Sequence, residues 1–164
     1  MGKLYREEGS KAMKPIIVVA TAEEEKIARK RFKGHRIIKT GVGGINVIRA
    51  LKDVPKWHKI LNFGYAGSDH LPIGTEVKVG YCSHYHDTEY DEIEYWKLGD
   101  PEDQIWCYTS DEFVENYDGG HAGFAGVIFD MELAYIIALG FKRIESIKII
   151  SDNLSLEQYE EVII

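Results

Sequence analysis

Short apolar runs rich in β-branched residues alternate with charged or amphipathic stretches along nearly the whole chain, and few folds accept that rhythm. The run at 16–20 (IIVVA) is continuous, as in a strand covered on both faces. It leads into Thr21 and AEEEKIARKRF, where Thr21 and Glu24 have the spacing of a capping box and the acids complement the positive end of a helix dipole. RIIK at 36–39 reads as the next strand, and after TGVGG the residues Ile45, Ile48 and Leu51 mark one helix face. KILNF at 59–63 is expected to be a third strand closed by Gly64 and Gly67, with a fourth at 75–82. Strands are also expected at 105–108, 126–129 and 146–150, and helices at 131–139 and from Ser155. Between them, 83–101 reads as a long polar and aromatic loop with at most one short strand. This order implies an α/β fold, a single three-layer domain around a mainly parallel mixed central sheet with right-handed crossovers.

Size and charge narrow the partners. A chain of 164 residues is sized for one compact domain, able to bury roughly 70% of its unfolded surface. Residues 1–12 are polar and aperiodic and read as a disordered or cloning-derived extension, leaving 13–164 as the folded unit. A formal net charge of -7 repels phosphate backbones and anionic lipid, so neither nucleic acid nor a membrane surface is an expected partner. No apolar run approaches the roughly 20 residues that span a bilayer, and the first residues lack the apolar block of a signal peptide. The two cysteines, Cys82 and Cys107, have neither disulfide-scaffold nor zinc-site spacing; buried thiols in a reducing cytoplasm are expected.

In open α/β sheets the ligand crevice lies beyond the carboxyl ends of the strands. Three such exits carry acids: Glu23, Glu24 and Glu25 after the first strand, Asp130 and Glu132 around Met131, and Asp152 after the last. One acid at a strand exit is routine capping chemistry, whereas three at one sheet edge suggest a site. The glycines of 40–44 either form a tight turn or let the backbone pass close to a sugar; Asn46 stands where a dinucleotide fingerprint needs its third glycine, and no P-loop lysine follows, so no cofactor is expected. His84, His86 and Asp87 have no partner motif, and no metal is assigned to them.

The segments VVATAEEEK, KTGVGG, LNFGYAG, HYHD, DMELA and IISD occur in an order that resembles the purine nucleoside phosphorylase superfamily, most closely its 5'-methylthioadenosine/S-adenosylhomocysteine nucleosidase branch, over about residues 15 to 155. The resemblance implies a phosphorylase/hydrolase-like fold and a set of roles. Glu25 matches the glutamate that activates the hydrolytic water, and Glu132 the one that grips the ribose hydroxyls. Met131 matches the methionine beside the sugar, Phe113 the aromatic against the purine, Thr40 a small hydroxyl residue near the ribose, and Gly67 a position in the substrate-binding set. Ser151 and Asp152 match the pair at the base, where the aspartate delivers a proton to purine nitrogen 7.

The implied activity is hydrolysis of the N-ribosidic bond of a purine nucleoside, with adenine released from methylthioadenosine or S-adenosylhomocysteine and no cofactor. Cleavage builds positive charge on the sugar and negative charge on the leaving base, which one acid and one base can serve. A carboxylate beside the nucleophile site would repel phosphate by several kcal/mol, favouring water. The alternatives are a phosphorylase, a nucleosidase for another purine nucleoside, and a nucleoside- or adenine-binding protein without turnover. A homodimer is implied by likeness. Against the pattern, the stretch between the first helix and Thr40 is short, only Asn153 to Ile164 follow Asp152, and Ser68 and Asp69 follow Gly67.

Overall fold

The computed structural model describes residues 14–85, 94–99, 103–120 and 123–163. The terminal extension and the histidine-loop residues His86 and Asp87 lie outside them. Thirteen elements follow in the order β1 Ile16–Val19, α1 Ala22–Arg31, β2 Ile37–Lys39, α2 Gly44–Leu51, β3 Lys59–Gly67, β4 Glu76–Lys78, β5 Tyr81–His84, β6 Trp96–Lys97, β7 Ile105–Thr109, β8 Gly126–Asp130, α3 Leu133–Ala138, β9 Arg143–Asp152 and α4 Leu156–Ile163. They form one α/β domain, as the alternating pattern predicts.

The strands make one mixed sheet in which β1 lies parallel between β2 and β3, β9 runs parallel to β3 on its other side, and β5, β7 and β8 are parallel neighbours. The antiparallel pairs are β4 with β9, β5 with β6, and a single contact between β3 and β8 at Gly67 and Phe129. At that contact two parallel groups of strands meet by their carboxyl ends, so several strand exits open onto one place.

Both faces are covered, which is why β1 is apolar at every position. Ile17 and Val19 pack with Leu61, Phe63 and Ala28 of α1, while Ile16 and Val18 pack with Val47 and Leu51 of α2 and Ile136 of α3. Alternate residues of one strand serve opposite layers because strand side chains have a period of two. The three-layer arrangement is therefore visible in the two core clusters themselves.

Several boundaries differ from the sequence reading. β3 continues through Gly64 to Gly67, since Gly64 here makes room for a side chain and does not end the strand. The expected fourth strand is two short ones, β4 against β9 and β5 between β6 and β7, broken at Val79 and Gly80. β9 is ten residues long, starting three residues before the expected segment. Cys82 and Cys107 are free, buried and opposite one another in β5 and β7. Among the described residues no helix is long and apolar enough to cross a membrane.

Candidate active site

The first exit is built by the start of α1. Thr21 is the N-cap: its Oγ1 accepts from the Glu24 backbone N–H at 3.2 Å, and Oε1 of Glu24 accepts from the Thr21 N–H at 2.8 Å, closing the capping box. The same oxygen accepts from Ala20 N–H at 3.0 Å, and Oε2 accepts from Tyr65 N–H on β3 at 2.8 Å. Glu24 is thus only 4% exposed, pinned between two strand ends. A Cβ on residue 64 would lie 2.1 Å from its Oε2, so only glycine fits there.

At the second exit Asp130 and Glu132 divide the work. Asp130 caps α3 by accepting from Leu133 N–H at 2.8 Å; it also accepts from Thr109 Oγ1 at 2.6 Å and pairs with Lys148 Nζ at 3.1 Å. Glu132 is turned toward the glycine loop, where its Oε2 accepts from Gly43 N–H at 2.8 Å. Gly43 has φ of 91°, a backbone setting that favours glycine and aims this N–H at the carboxyl group. Burial and the neighbouring Asp130 push the Glu132 pKa up to about 8, against the opposing pull of Lys148 and Gly43 N–H.

The third exit presents Asp152, 1% exposed. Its Oδ2 accepts from Ser151 Oγ at 2.7 Å and its Oδ1 from Leu154 N–H at 2.9 Å. Burial raises its pKa above the usual aspartate range, although these donors oppose the shift. Gly67 lies beside it: a Cβ there would approach Asp152 Oδ1 to 2.7 Å.

These three exits surround one cavity. Glu24, Glu132 and Asp152 line it together with Met131, Ser151, Gly67 and Phe113. Six of the eight residues expected at a site, Asp152, Glu132, Met131, Phe113, Ser151 and Gly67, are thus brought together.

Two are not. Glu25 lies one position further round the helix, about 100° away, and pairs outward with Arg29 at 3.3 Å. Glu24 takes the inward position, so the residue read as a capping acid is also the one that faces the cavity. Thr40 turns its hydroxyl back onto the carbonyl of Gly41 at 2.7 Å and lies outside the lining; Val42 reaches the cavity in its place.

The sequence reading also missed two aromatic walls and a buried cation. Tyr65 and Tyr159 line the cavity, with the Tyr159 ring 5.4 Å from that of Phe113. Burial, with Glu24, Glu132 and Asp152 adding to it, raises the Tyr159 hydroxyl to about 12, so it stays a neutral donor. Tyr159 belongs to α4, which follows Asp152 so closely that the packing of a terminal helix over the site was not legible from spacing. Lys148 left a signal in the sequence, a lone lysine inside the apolar run IKII. His84 packs edge-on against Trp96 and Tyr135.

A two-group mixed sheet whose acid-bearing strand ends meet at one cavity is a fold this chain shares with solved 5'-methylthioadenosine/S-adenosylhomocysteine nucleosidases. Among solved structures, the Helicobacter pylori 5'-methylthioadenosine/S-adenosylhomocysteine nucleosidase D198N mutant with 5'-methylthioadenosine in its active site matches with a TM-score of 0.71 and 14% identity, over 93% of this chain and 92% of that one. The Streptococcus pneumoniae nucleosidase with the transition-state inhibitor MT-ImmA matches at 0.70 and 19%, over 92% of each chain. The futalosine hydrolase of Helicobacter pylori matches at 0.69 and 15%, over 94% of this chain and 92% of that one. No protein-family model matches the sequence, and no curated protein does.

Proposed function

We propose that this chain hydrolyses the N-ribosidic bond of a purine nucleoside, with 5'-methylthioadenosine or S-adenosylhomocysteine as the substrate and adenine as the released base. The observation that carries the reading is the meeting of Glu24, Glu132 and Asp152 around one cavity walled by Phe113, Met131 and Tyr159. The three carboxyl groups come from strand exits far apart in the chain.

Asp152 is the proton donor to nitrogen 7 of the base, because burial favours its protonated form and a protonated leaving purine departs with less charge. Glu24 takes the role first assigned to Glu25: held by three backbone N–H groups, it orients the attacking water and accepts its proton as the C–N bond breaks. Glu132 accepts from the two ribose hydroxyls and fixes the sugar for attack. Phe113 and Tyr159, whose rings touch, form one apolar wall for the planar base, and Ser151 holds the orientation of Asp152. Water is favoured over phosphate because no lysine or arginine lines the cavity among the described residues, while Glu24 stands where the nucleophile enters.

A second copy of the chain is the proposed partner. Val42, which lines the cavity, is 39% exposed and continues onto α2 with Ile45 at 71% and Ile48 at 43%, an apolar row at the mouth of the site. A homodimer would cover that row and add a wall for the 5' substituent. The free, buried thiols fit the cytoplasm as the compartment.

The test is release of free base, read by mass spectrometry in phosphate-free buffer, from methylthioadenosine, S-adenosylhomocysteine, futalosine, inosine and adenosine. Adenine from one of the first two, lost in Asp152→Asn, supports the reading. Base release only on adding phosphate, with ribose 1-phosphate as co-product, identifies a phosphorylase. Tight adenine binding with no product over hours identifies a binding protein.

A further inference from the structure

Tyr135 stands on α3 three residues after its N-cap Glu132, and both side chains turn toward the start of α2. Glu132 accepts from Gly43 N–H, while Tyr135 lays its ring over Gly44, where an added Cβ would come within 2.5 Å of the ring carbons. The His84 ring meets Tyr135 edge-on at 5.1 Å. From this seat the Tyr135 hydroxyl donates to Asp111 Oδ1; that bond, with burial adding to it, pushes the hydroxyl pKa up to about 12 and keeps it a donor. Asp111 opens the segment that carries Phe113 to the cavity. The segment leaves β7 at Ser110, whose N–H donates to the Asp130 carbonyl at 2.9 Å. Beyond that point it rests on apolar contacts, Phe113 on Tyr159 and Val114 on the cluster of Val127, Phe129 and Leu154. Among the described residues, the bond from Tyr135 to Asp111 is the one hydrogen bond that joins 111–116 to another element.

We propose that Tyr135 is a positioning residue of this site: seated on Gly44 and hydrogen-bonded to Asp111, it sets where the Phe113 wall stands over the cavity, and with it the affinity for a planar base. The planar base rests on the nucleosidase reading; the hold of Tyr135 on the Phe113 segment does not. Tyr135 does not itself line the cavity, so it acts through Asp111 and the two residues that follow. Apolar contacts keep Phe113 near Tyr159 without fixing its place, because they have no preferred direction. A hydrogen bond is directional and fixes one arrangement. The anchor end is firm: the ring has the Gly44 backbone beneath it and His84 at its side, so packing holds its rotamer. Glu132 begins the same helix, and the wall for the base and the acid for the sugar are thus both referred to α3. Glu24 and Asp152 take their hydrogen bonds from other parts of the chain, so loosening 111–116 weakens the hold on the base and spares the chemical step.

The experiment is fluorine-19 spectroscopy of the full chain carrying fluorophenylalanine, the Phe113 signal assigned by its loss in Phe113→Leu, beside calorimetry with adenine and steady-state kinetics. Tyr135→Phe keeps the ring and removes the donor; Asp111→Ala removes the acceptor; Asp111→Asn keeps one. Tyr135→Phe and Asp111→Ala are each expected to shift and broaden the Phe113 signal, to weaken adenine binding and to raise KM, both by about five- to tenfold, with kcat within about twofold. The double variant should lose no more than either single one, and Asp111→Asn should recover most of the loss. A bond that serves stability alone would lower the denaturation midpoint and leave the Phe113 signal and KM where they were. Asp111 is exposed, so its variants carry the test should Tyr135→Phe fail to fold. A Phe113 signal that does not move, or losses that add in the double variant, overturn the proposal, as does an unchanged adenine affinity in a protein that binds adenine. The expected fluorine changes in a protein that neither binds adenine nor cleaves a nucleoside uphold the hold on the segment and overturn the nucleosidase reading instead.

Discussion

The carboxylate of Glu24 occupies the space that a side chain at Gly64 would need, with its Oε2 2.1 Å from where that Cβ would stand. Helix start and strand centre are thereby locked together, and the acid is held at the cavity edge by groups from both.

Exchanging neighbouring glutamates separates the two candidates for the water-activating acid. Glu24→Gln should lower base release by about two orders of magnitude or more, the usual loss of a general base. Glu25→Gln removes only a surface pair with Arg29, worth about 0.5 kcal/mol, and should leave turnover within about twofold. Steady-state kinetics on both variants decide it; equal losses would remove the distinction drawn from the geometry.

Gly64→Ala tests the lock directly. The added methyl must displace Glu24 or part α1 from β3, at a cost of about 1–3 kcal/mol, and activity should fall along with stability. Chemical denaturation with a parallel turnover assay gives both. An active Gly64→Ala protein of unchanged stability would show that the carboxylate has slack the structure does not display.

Glu132 gives stability a pH dependence of unusual sign. Its pKa is about 8 in the folded protein, above the ordinary carboxyl value, so between the two the native state binds more protons than the unfolded chain. Its contribution is fully present below the unfolded pKa and is lost as pH rises toward 8. On the order of a few kcal/mol is at stake. Melting temperatures from pH 5 to 9 should therefore fall more steeply in the wild type than in Glu132→Gln; matching slopes would contradict the raised value.

The proposed homodimer depends on the apolar row at Val42, Ile45 and Ile48. Ile45→Asp puts a charge at the most exposed of the three and should yield monomers by sedimentation velocity, with a raised KM for a nucleoside carrying a long 5' substituent. A monomeric wild type would dispose of that interface.

Much of the fold was legible in the residues. The continuous apolarity of 16–19 required two covering layers, and the spacing of Thr21 to Glu24 fixed the start of α1, because capping and burial act through local geometry. The ordered segments also named Asp152, Glu132, Met131, Phe113, Ser151 and Gly67, which the structure gathers around one cavity, each within a residue or two of a strand end or on the loop after β7. Local sequence was less able to say where side chains point. Glu24 and Glu25 are chemically identical and adjacent, and which one faces inward depends on how α1 is rotated against β3, a matter settled by Gly64 and the Tyr65 N–H some forty residues away.

Sequence alone thus determined the element types, their order and the acids at the strand exits, since periodicity and capping are short-range. Only the tertiary structure chose Glu24, turned Thr40 away, brought Tyr159 over the cavity and paired Lys148 with Asp130. Those outcomes rest on packing and charge compensation between segments distant along the chain, which no local pattern encodes.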